Sequence, residues 1–152
     1  MYPTLVLIHV LAACLAIGST ATYGAWSLMG AKAGENYEGF ALRGVAWVDK
    51  YIANPSFAVL LLSGGALVHL GGMAWGQAWL WQSAAGMAVT ETLAYAVFQP
   101  LLRRQLAAFE RGGSADAEYQ RLSVKAMRLG WIFTAINGYI LILMVYKPAG
   151  LF

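Results

Sequence analysis

The sequence predicts an all-α integral membrane protein with four transmembrane helices, and two observations carry that prediction. No Asp, Glu, Lys or Arg occurs in residues 1–31 or 51–90, and residues 129–146 are also free of charge. Each run is long enough to cross the roughly 30 Å of bilayer hydrocarbon as a helix. The composition agrees, because 60% of the residues are hydrophobic and 11% are charged, whereas soluble domains carry about 25% charged residues. Residues 1–152 are expected to form a single membrane domain.

The four predicted spans follow from where the apolar runs start and stop. Asn54 and Pro55 supply a favourable N-cap and first helical residue for the second span. Pro100 is expected to kink the end of the third span, because a proline ring clashes with the preceding helical turn. The spans cover residues 4–28, 55–72, 78–102 and 129–146.

The segments that connect the spans differ in character. Residues 30–53 are polar and mixed in charge, so they are predicted as a loop. Residues 71–77 are short and glycine-rich, which predicts a tight hairpin between the second and third spans. In the third connection, Ser114 is predicted to cap an amphipathic helix that continues into the fourth span. This helix carries a basic stripe suited to anionic lipid headgroups, formed by Arg121, Lys125 and Arg128.

The distribution of basic residues predicts the orientation. Nine of the ten Lys and Arg residues fall in the first and third connections, and only Lys147 falls on the opposite side. The positive-inside rule therefore places both termini outside, in the periplasm, with the protein in a bacterial cytoplasmic membrane as a multi-pass chain. The formal charge of +3 reflects these connections and does not indicate nucleic-acid binding.

The only two histidines, His9 and His69, are predicted to lie at similar depth, about 5–9 Å below the outer surface. Small residues lie one turn from each. Two neutral imidazoles are the ligand pair of a low-spin b-type haem in a helical bundle, so His9 and His69 are candidate axial ligands of haem b. The alternatives are a packing or interfacial role, or copper binding, since Met73 follows His69 by four residues and its sulfur suits Cu(I).

One carboxylate, Glu91, falls near the centre of the third span, where a charged group exposed to lipid costs several kcal/mol. Asn137 lies near the middle of the fourth span, so the two side chains are predicted to meet as an intramembrane polar pair. The pair either relays protons or contacts a substrate, or it joins two helices through a hydrogen bond. The sequence contains no phosphate-binding glycine loop, metalloprotease motif or Cys-Xaa-Xaa-Cys, and it does not establish an enzyme.

Three short stretches carry a family resemblance: a Leu-x-x-x-His start in residues 5–13, the run Leu-Leu-Leu-Ser-Gly-Gly in residues 60–65, and Pro-Leu-Leu-Arg-Arg-Gln-Leu in residues 100–106. The chain resembles bacterial predicted integral membrane proteins of unknown function. More distantly, it is similar to the copper-resistance D proteins and the HemJ-type membrane protoporphyrinogen oxidases. The HemJ resemblance implies haem binding through His9, and the copper-resistance resemblance implies copper at His9, with His69 and Met73.

These observations favour a b-type haem redox protein that moves electrons, or a small subunit of a redox complex, with His9 and His69 as the ligands. One alternative is a non-catalytic accessory subunit that packs against other subunits of a larger membrane complex. The other alternative is a membrane protein that handles copper at the outer surface.

Overall fold

The computed structural model describes residues 1–148, and these residues form an all-α bundle of four long helices, as the sequence predicts. Two of the four long helices each contain one π-helical turn, which lies between two α-helical segments. The π turns cover Asp49–Ala53 and Ala94–Phe98. The α-helices are α1 (Tyr2–Ala33), α2 (Glu35–Val48), α3 (Asn54–Leu70), α4 (Ala78–Leu93), α5 (Gln99–Gly112) and α6 (Ala117–Tyr146).

Within residues 1–148, three helices are long and apolar enough to cross a membrane: Tyr2–Ala33, Glu35–Leu70 and Ala117–Tyr146. The helix Glu35–Leu70 has 36 residues and is about 54 Å long. Because it exceeds the roughly 30 Å of hydrocarbon, part of it extends beyond the membrane. The fourth helix, made of α4 and α5, is less apolar and packs along α6.

The connection predicted as a loop over residues 30–53 is helical, which corrects the sequence prediction. The second span does not begin at Asn54 and Pro55, because the helix continues from α2 through the π turn into α3. A proline inside an α-helix removes one hydrogen bond and clashes with the carbonyl four residues earlier. The π turn directly before Pro55 changes the hydrogen-bond register there, so that the amide of Asn54 donates to the carbonyl of Asp49.

Pro100 is accommodated in the same way. A π turn precedes it, and the amide of Gln99 donates to the carbonyl of Ala94. In both helices the π turn is followed by one residue with a side-chain amide and then by proline. Such turns are usually single and frequent at functional sites, and here they keep each helix continuous where proline would otherwise end it.

The break before the last helix is where the sequence places it, but a different residue caps the helix. The chain leaves α5 at Gly112, makes one short 3₁₀ turn, and enters α6 with Asp116 as N-cap. Asp116 Oδ1 accepts from the backbone amide of Tyr119 at 2.8 Å, whereas the side chain of Ser114 is not the cap. As predicted, α6 runs without interruption from this amphipathic segment into the last span.

The bundle has two ends. The hairpin end holds Met1 and the turn over residues 71–77, and the basic end holds Gly34 and the turn over residues 113–116. The short turn at the hairpin end is confirmed. However, α3 packs mainly on α1, and α4 packs mainly on α6. The two helices of the hairpin therefore belong to different packed pairs.

A compact core holds the helices together at the basic end. Phe109 and Tyr119 pack edge to face with ring centroids 5.1 Å apart, and the Tyr119 hydroxyl donates to Glu38 Oε1 at 2.6 Å. Gly39 lets the ring of Phe109 approach, since a Cβ there would lie 2.7 Å from Phe109 Cε1. The buried residues of this core are Leu42, Val45, Phe98, Leu102, Ala108, Phe109 and Tyr119.

Gly113→Ala is expected to lower the free energy of unfolding by about 1–3 kcal/mol. Gly113 has φ +67° and ψ −159°, a conformation that is essentially restricted to glycine, and a Cβ there would collide with Glu35 Oε1. Gly44→Ala is the control, because no atom lies within 4 Å of its Cβ position. Thermal unfolding in detergent, followed by circular dichroism, measures both variants, and equal stability would contradict the role of Gly113.

Candidate functional site

A buried seam along α3 carries the polar residues that face α1. Asp49, Ser56 and Ser63 recur every seven residues and are all buried. Three apolar residues with the same spacing alternate with them, so the seam follows a heptad pattern. These are Ala53, Leu60 and Leu67. A row of buried polar groups therefore runs along the middle part of this helix, from Asp49 to Ser63.

His9 lies on this seam near the hairpin end. The hydroxyl of Ser63 donates to the carbonyl of Val59 at 2.6 Å, so its oxygen accepts from His9 Nδ1–H at 2.9 Å. This assignment gives the tautomer with the hydrogen on Nδ1 and a free lone pair on Nε2. Gly64 leaves room for the ring, because a Cβ there would lie 3.1 Å from His9 Cε1. His9 is therefore a fixed imidazole whose second nitrogen can accept a proton.

The structure does not bring His69 to His9. Ser63, which bonds His9, precedes His69 by six residues, or about 9 Å along the helix. The side chain of His69 is exposed. Met73 does not share a helical face with His69 either, because α3 ends at Leu70 and the amide of Met73 bonds the carbonyl of Val68 within the turn.

A haem held between His9 and His69 does not fit this arrangement. Two axial imidazoles approach iron from opposite faces of the macrocycle, but His9 packs directly on Gly64 of α3, and His69 is exposed. Within residues 1–148, no group of three or more His, Cys, Asp or Glu side chains is arranged to hold a metal ion. Ligation of haem b or copper by these residues stays a prediction from the sequence.

A second polar site, the carboxyl cluster, lies further towards the basic end. Asp49 is only 7% exposed. Its two carboxylate oxygens accept from the Tyr23 hydroxyl at 3.5 Å and from Asn54 Nδ2 at 3.3 Å. We call Tyr23, Asp49 and Asn54, together with Thr90 and Glu91 at the same level on α4, the carboxyl cluster.

Helix register places Glu91 at the level of Asp49. Ala53 and Met87 belong to one buried cluster, formed by residues of α1, the first π turn, α3 and α4. One turn from this contact towards the basic end, α4 carries Thr90 and Glu91, and the other helix carries Asp49. Oε1 of Glu91 and the hydroxyl of Thr90 are buried without a hydrogen-bond partner among the described residues.

Apolar layers close the carboxyl cluster on both sides. On the side of the hairpin end, Met87 packs with Phe57 and Ala16. On the side of the basic end, the rings of Tyr23 and Phe98 stack at 6.3 Å, and Phe133 meets Phe98 edge-on at 5.8 Å. Asp49 therefore lies inside the bundle, and Glu91 is half-buried at the same level, with both carboxyl groups away from the two ends.

The predicted polar pair of Glu91 and Asn137 is not joined in the described part of the chain. Asn137 is buried on α6, but no hydrogen bond links it to Glu91, whose buried Oε1 has no partner among the described residues. Tyr23, Asp49 and Asn54 were not identified from the sequence. Asp49 was predicted to lie in a loop, and Asn54 was predicted to cap the helix that follows this loop. The seven-residue spacing of Asp49, Ser56 and Ser63 is the signal that could have revealed them.

Comparison with known proteins identifies a family and little more. The model of a family described as "Predicted integral membrane protein (DUF2269)" matches residues 3–148. No curated protein and no solved structure is significantly similar to the chain.

Proposed function

The chain belongs to the DUF2269 family of predicted integral membrane proteins, and from that premise we propose that it binds and transfers protons within the membrane. The proton-carrying groups are the carboxyl groups of Asp49 and Glu91, and the histidine that exchanges protons near the hairpin end is His9. The proposal rests on the geometry of the bundle, because the family description names no activity.

The observation that carries the proposal is the buried carboxyl group of Asp49 and the half-buried one of Glu91 at the same level, with no cation paired to either in the described residues. Lys50 follows Asp49 in the chain but is exposed, with its Nζ 5.0 Å from the ring centre of Tyr51. Within the described residues, the one salt bridge joins Arg111 to Glu118 at the basic end. A charged carboxylate inside a membrane costs about 2.5–3.5 kcal/mol by insertion scales, and two neighbouring carboxylates repel each other. The pair therefore holds a proton.

The hydrogen bonds indicate which carboxyl group carries that proton. Asp49 accepts from two donors, Tyr23 and Asn54, and donors stabilise the charged form of a carboxylate. Glu91 has a buried oxygen without a partner. The neutral carboxylic acid is therefore Glu91, and Asp49 is the anion next to it.

A route for protons follows the α3 seam from His9 to Asp49. Ser63 bonds His9 directly, and Ser56 lies midway between Ser63 and Asp49. Seven residues of helix span about 10 Å, which is too far for a direct hydrogen bond between the seam residues. The proposed route therefore requires water molecules between these residues, which buried polar groups in proteins commonly bind.

The proposal extends to the setting of the protein. We place the basic end at the cytoplasmic face of a bacterial inner membrane, because basic residues favour that side. Arg121, Lys125 and Arg128 are exposed along one stretch of α6 and there contact anionic lipid headgroups. The function as an accessory subunit stays a prediction, and proton transfer is compatible with a place in a larger redox complex.

Glu91→Gln tests the protonated pair by infrared spectroscopy. The protein in detergent at neutral pH is expected to show the C=O stretch of a protonated carboxyl group, and Glu91→Gln is expected to remove that band. Glu110→Gln is the matched control, because Glu110 is exposed on α5 and its loss should leave the band unchanged. A spectrum without the band, or a band that survives in Glu91→Gln, would overturn the proposal.

A further inference from the structure

We propose that a groove between α4 and α6 at the hairpin end binds one anionic phospholipid, with its phosphate at Lys147 and one acyl chain along the groove. No residue of the carboxyl cluster lines this groove, so the inference does not depend on proton transfer. The groove is also distinct from the basic stripe of α6, which lies towards the other end of that helix.

The apolar part of the groove is open to the surroundings of the bundle. Its walls are Ala85, Gly86 and Val89 of α4 and Ala135 and Ile136 of α6. Three of these residues are exposed. The volume of the whole groove is about 520 Å³, which lies within the roughly 300–1,000 Å³ of small-molecule sites. A flexible hydrocarbon chain therefore suits this part of the groove.

A polar pair lies where the groove approaches the hairpin end. The Tyr139 hydroxyl donates to Gln82 Oε1 at 2.7 Å, and both residues line the groove. Because this bond uses the oxygen, the amide nitrogen of Gln82 keeps its two hydrogens. Gln82 is only partly buried and lies about 6 Å inside the start of α4. An amide donor that faces lipid is unfavourable without an acceptor, and the carbonyl oxygen of a lipid ester is such an acceptor.

A single cation lies beyond the polar pair. The Nζ atom of Lys147 lies 5.6 Å from the ring centre of Trp79, which precedes Gln82 by three residues and therefore shares its helical face. Within residues 1–148, Lys147 takes part in no salt bridge. The sequence has no Asp or Glu in residues 51–90 or 119–152 that could neutralise it locally. Its charge is therefore available to an anionic headgroup.

The order of these groups matches the order of groups in a phospholipid. An ammonium group, an amide–phenol pair and an apolar groove follow one another inwards, as phosphate, ester and acyl chain do in the lipid. On α4, the steps from Trp79 to Gln82 and from Gln82 to Gly86 are about 4.5 and 6 Å. An apolar helix of another protein would leave Lys147 without a counter-charge. A lipid with a net negative charge satisfies all three parts of the site.

Photo-crosslinking in detergent tests where the lipid binds. The probe is phosphatidylglycerol with a diazirine in one acyl chain, and mass spectrometry of the peptides locates the label. The label is expected mainly on residues 82–89 and 135–139, which contain the groove. Unlabelled phosphatidylglycerol should displace the probe, whereas inorganic phosphate should not, because phosphate alone has no chain to occupy the groove.

Two variants with matched controls test the two ends of the site. Ala85→Leu is expected to lose the label because its side chain fills the groove, and Ala84→Leu should keep the label, since Ala84 is exposed but does not line the groove. Lys147→Gln is expected to lower the affinity for the probe about five-fold, whereas Lys50→Gln, at an exposed lysine of the other end, should not lower it.

Circular dichroism verifies that each of these variants is folded. A label spread evenly over the lipid-facing helices, a full label in folded Ala85→Leu, an unchanged affinity in Lys147→Gln, or displacement by inorganic phosphate would overturn the phospholipid site. None of these results would change the carboxyl band that tests the proposed function, so the two proposals fail separately.

Discussion

Replacing Asp49 with asparagine is expected to lower proton flux through the protein by at least about 100-fold, the contribution typical of a positioned proton-transfer group. Asparagine keeps the size of the side chain but cannot hold the charge that attracts a proton from Glu91. Flux is measured in proteoliposomes that contain a pH-sensitive dye and carry an imposed potential. Flux that remains at the wild-type level would contradict the proposed route.

Two further variants show whether a lower proton flux results from misfolding. Glu110→Gln removes one carboxylate from the exposed face of α5, and it should conduct like the wild type. Tyr23→Phe removes only the hydroxyl that donates to Asp49 and keeps the ring that stacks on Phe98. It is expected to reduce flux by less than Asp49→Asn does, and circular dichroism verifies that each variant is folded.

The largest expected effect on stability comes from Ala16→Leu. Ala16 is completely buried where α1 packs on α3, in a cluster with Ala53 and Phe57. Three additional carbon atoms have no space there, and overpacking of this kind costs about 1–3 kcal/mol or more. Thermal unfolding in detergent is expected to show a lower midpoint. Ala21→Leu is the control, because Ala21 is exposed on the same helix, and an equal midpoint for both variants would contradict the close packing of α1 on α3.

The helical bundle could be predicted because a charged side chain in hydrocarbon has a large free-energy cost at its own position in the sequence. Runs without charged residues located α1, α3 and α6, and the paired glycines at 112 and 113 located the break before α6. Pro55 misled the prediction, since a proline that follows charged residues usually marks the start of a helix. The π turn that admits it depends on tertiary packing, which no residue spacing in that segment reveals.

The candidate site was only partly predictable for a related reason. Glu91 stood out because it is the one charged residue in its apolar run. Its partner could not be chosen from depth alone, because depth does not give the direction in which a side chain points around its helix. Asn137 matched in depth, yet no hydrogen bond joins it to Glu91 among the described residues, and Glu91 Oε1 is buried without a partner. The two histidines do not come together, because the hydrogen bond to Ser63 holds His9 of α1 at the level of Ser63, six residues before His69.

The division of the bundle into the pairs α1–α3 and α4–α6 has a consequence for biosynthesis. Tyr23 and Asn54, which donate hydrogen bonds to Asp49, lie within the first 70 residues. The same is true of His9 and Ser63, which bond each other. A nascent chain inserted up to Leu70 can therefore satisfy its buried acidic residue before α4 has been synthesised. Glu91 then enters the membrane at the level of the Asp49 carboxylate, which already accepts its two hydrogen bonds. The chain thus delivers its two carboxyl groups to the bilayer one at a time, and the first already has its hydrogen-bond donors when the second arrives.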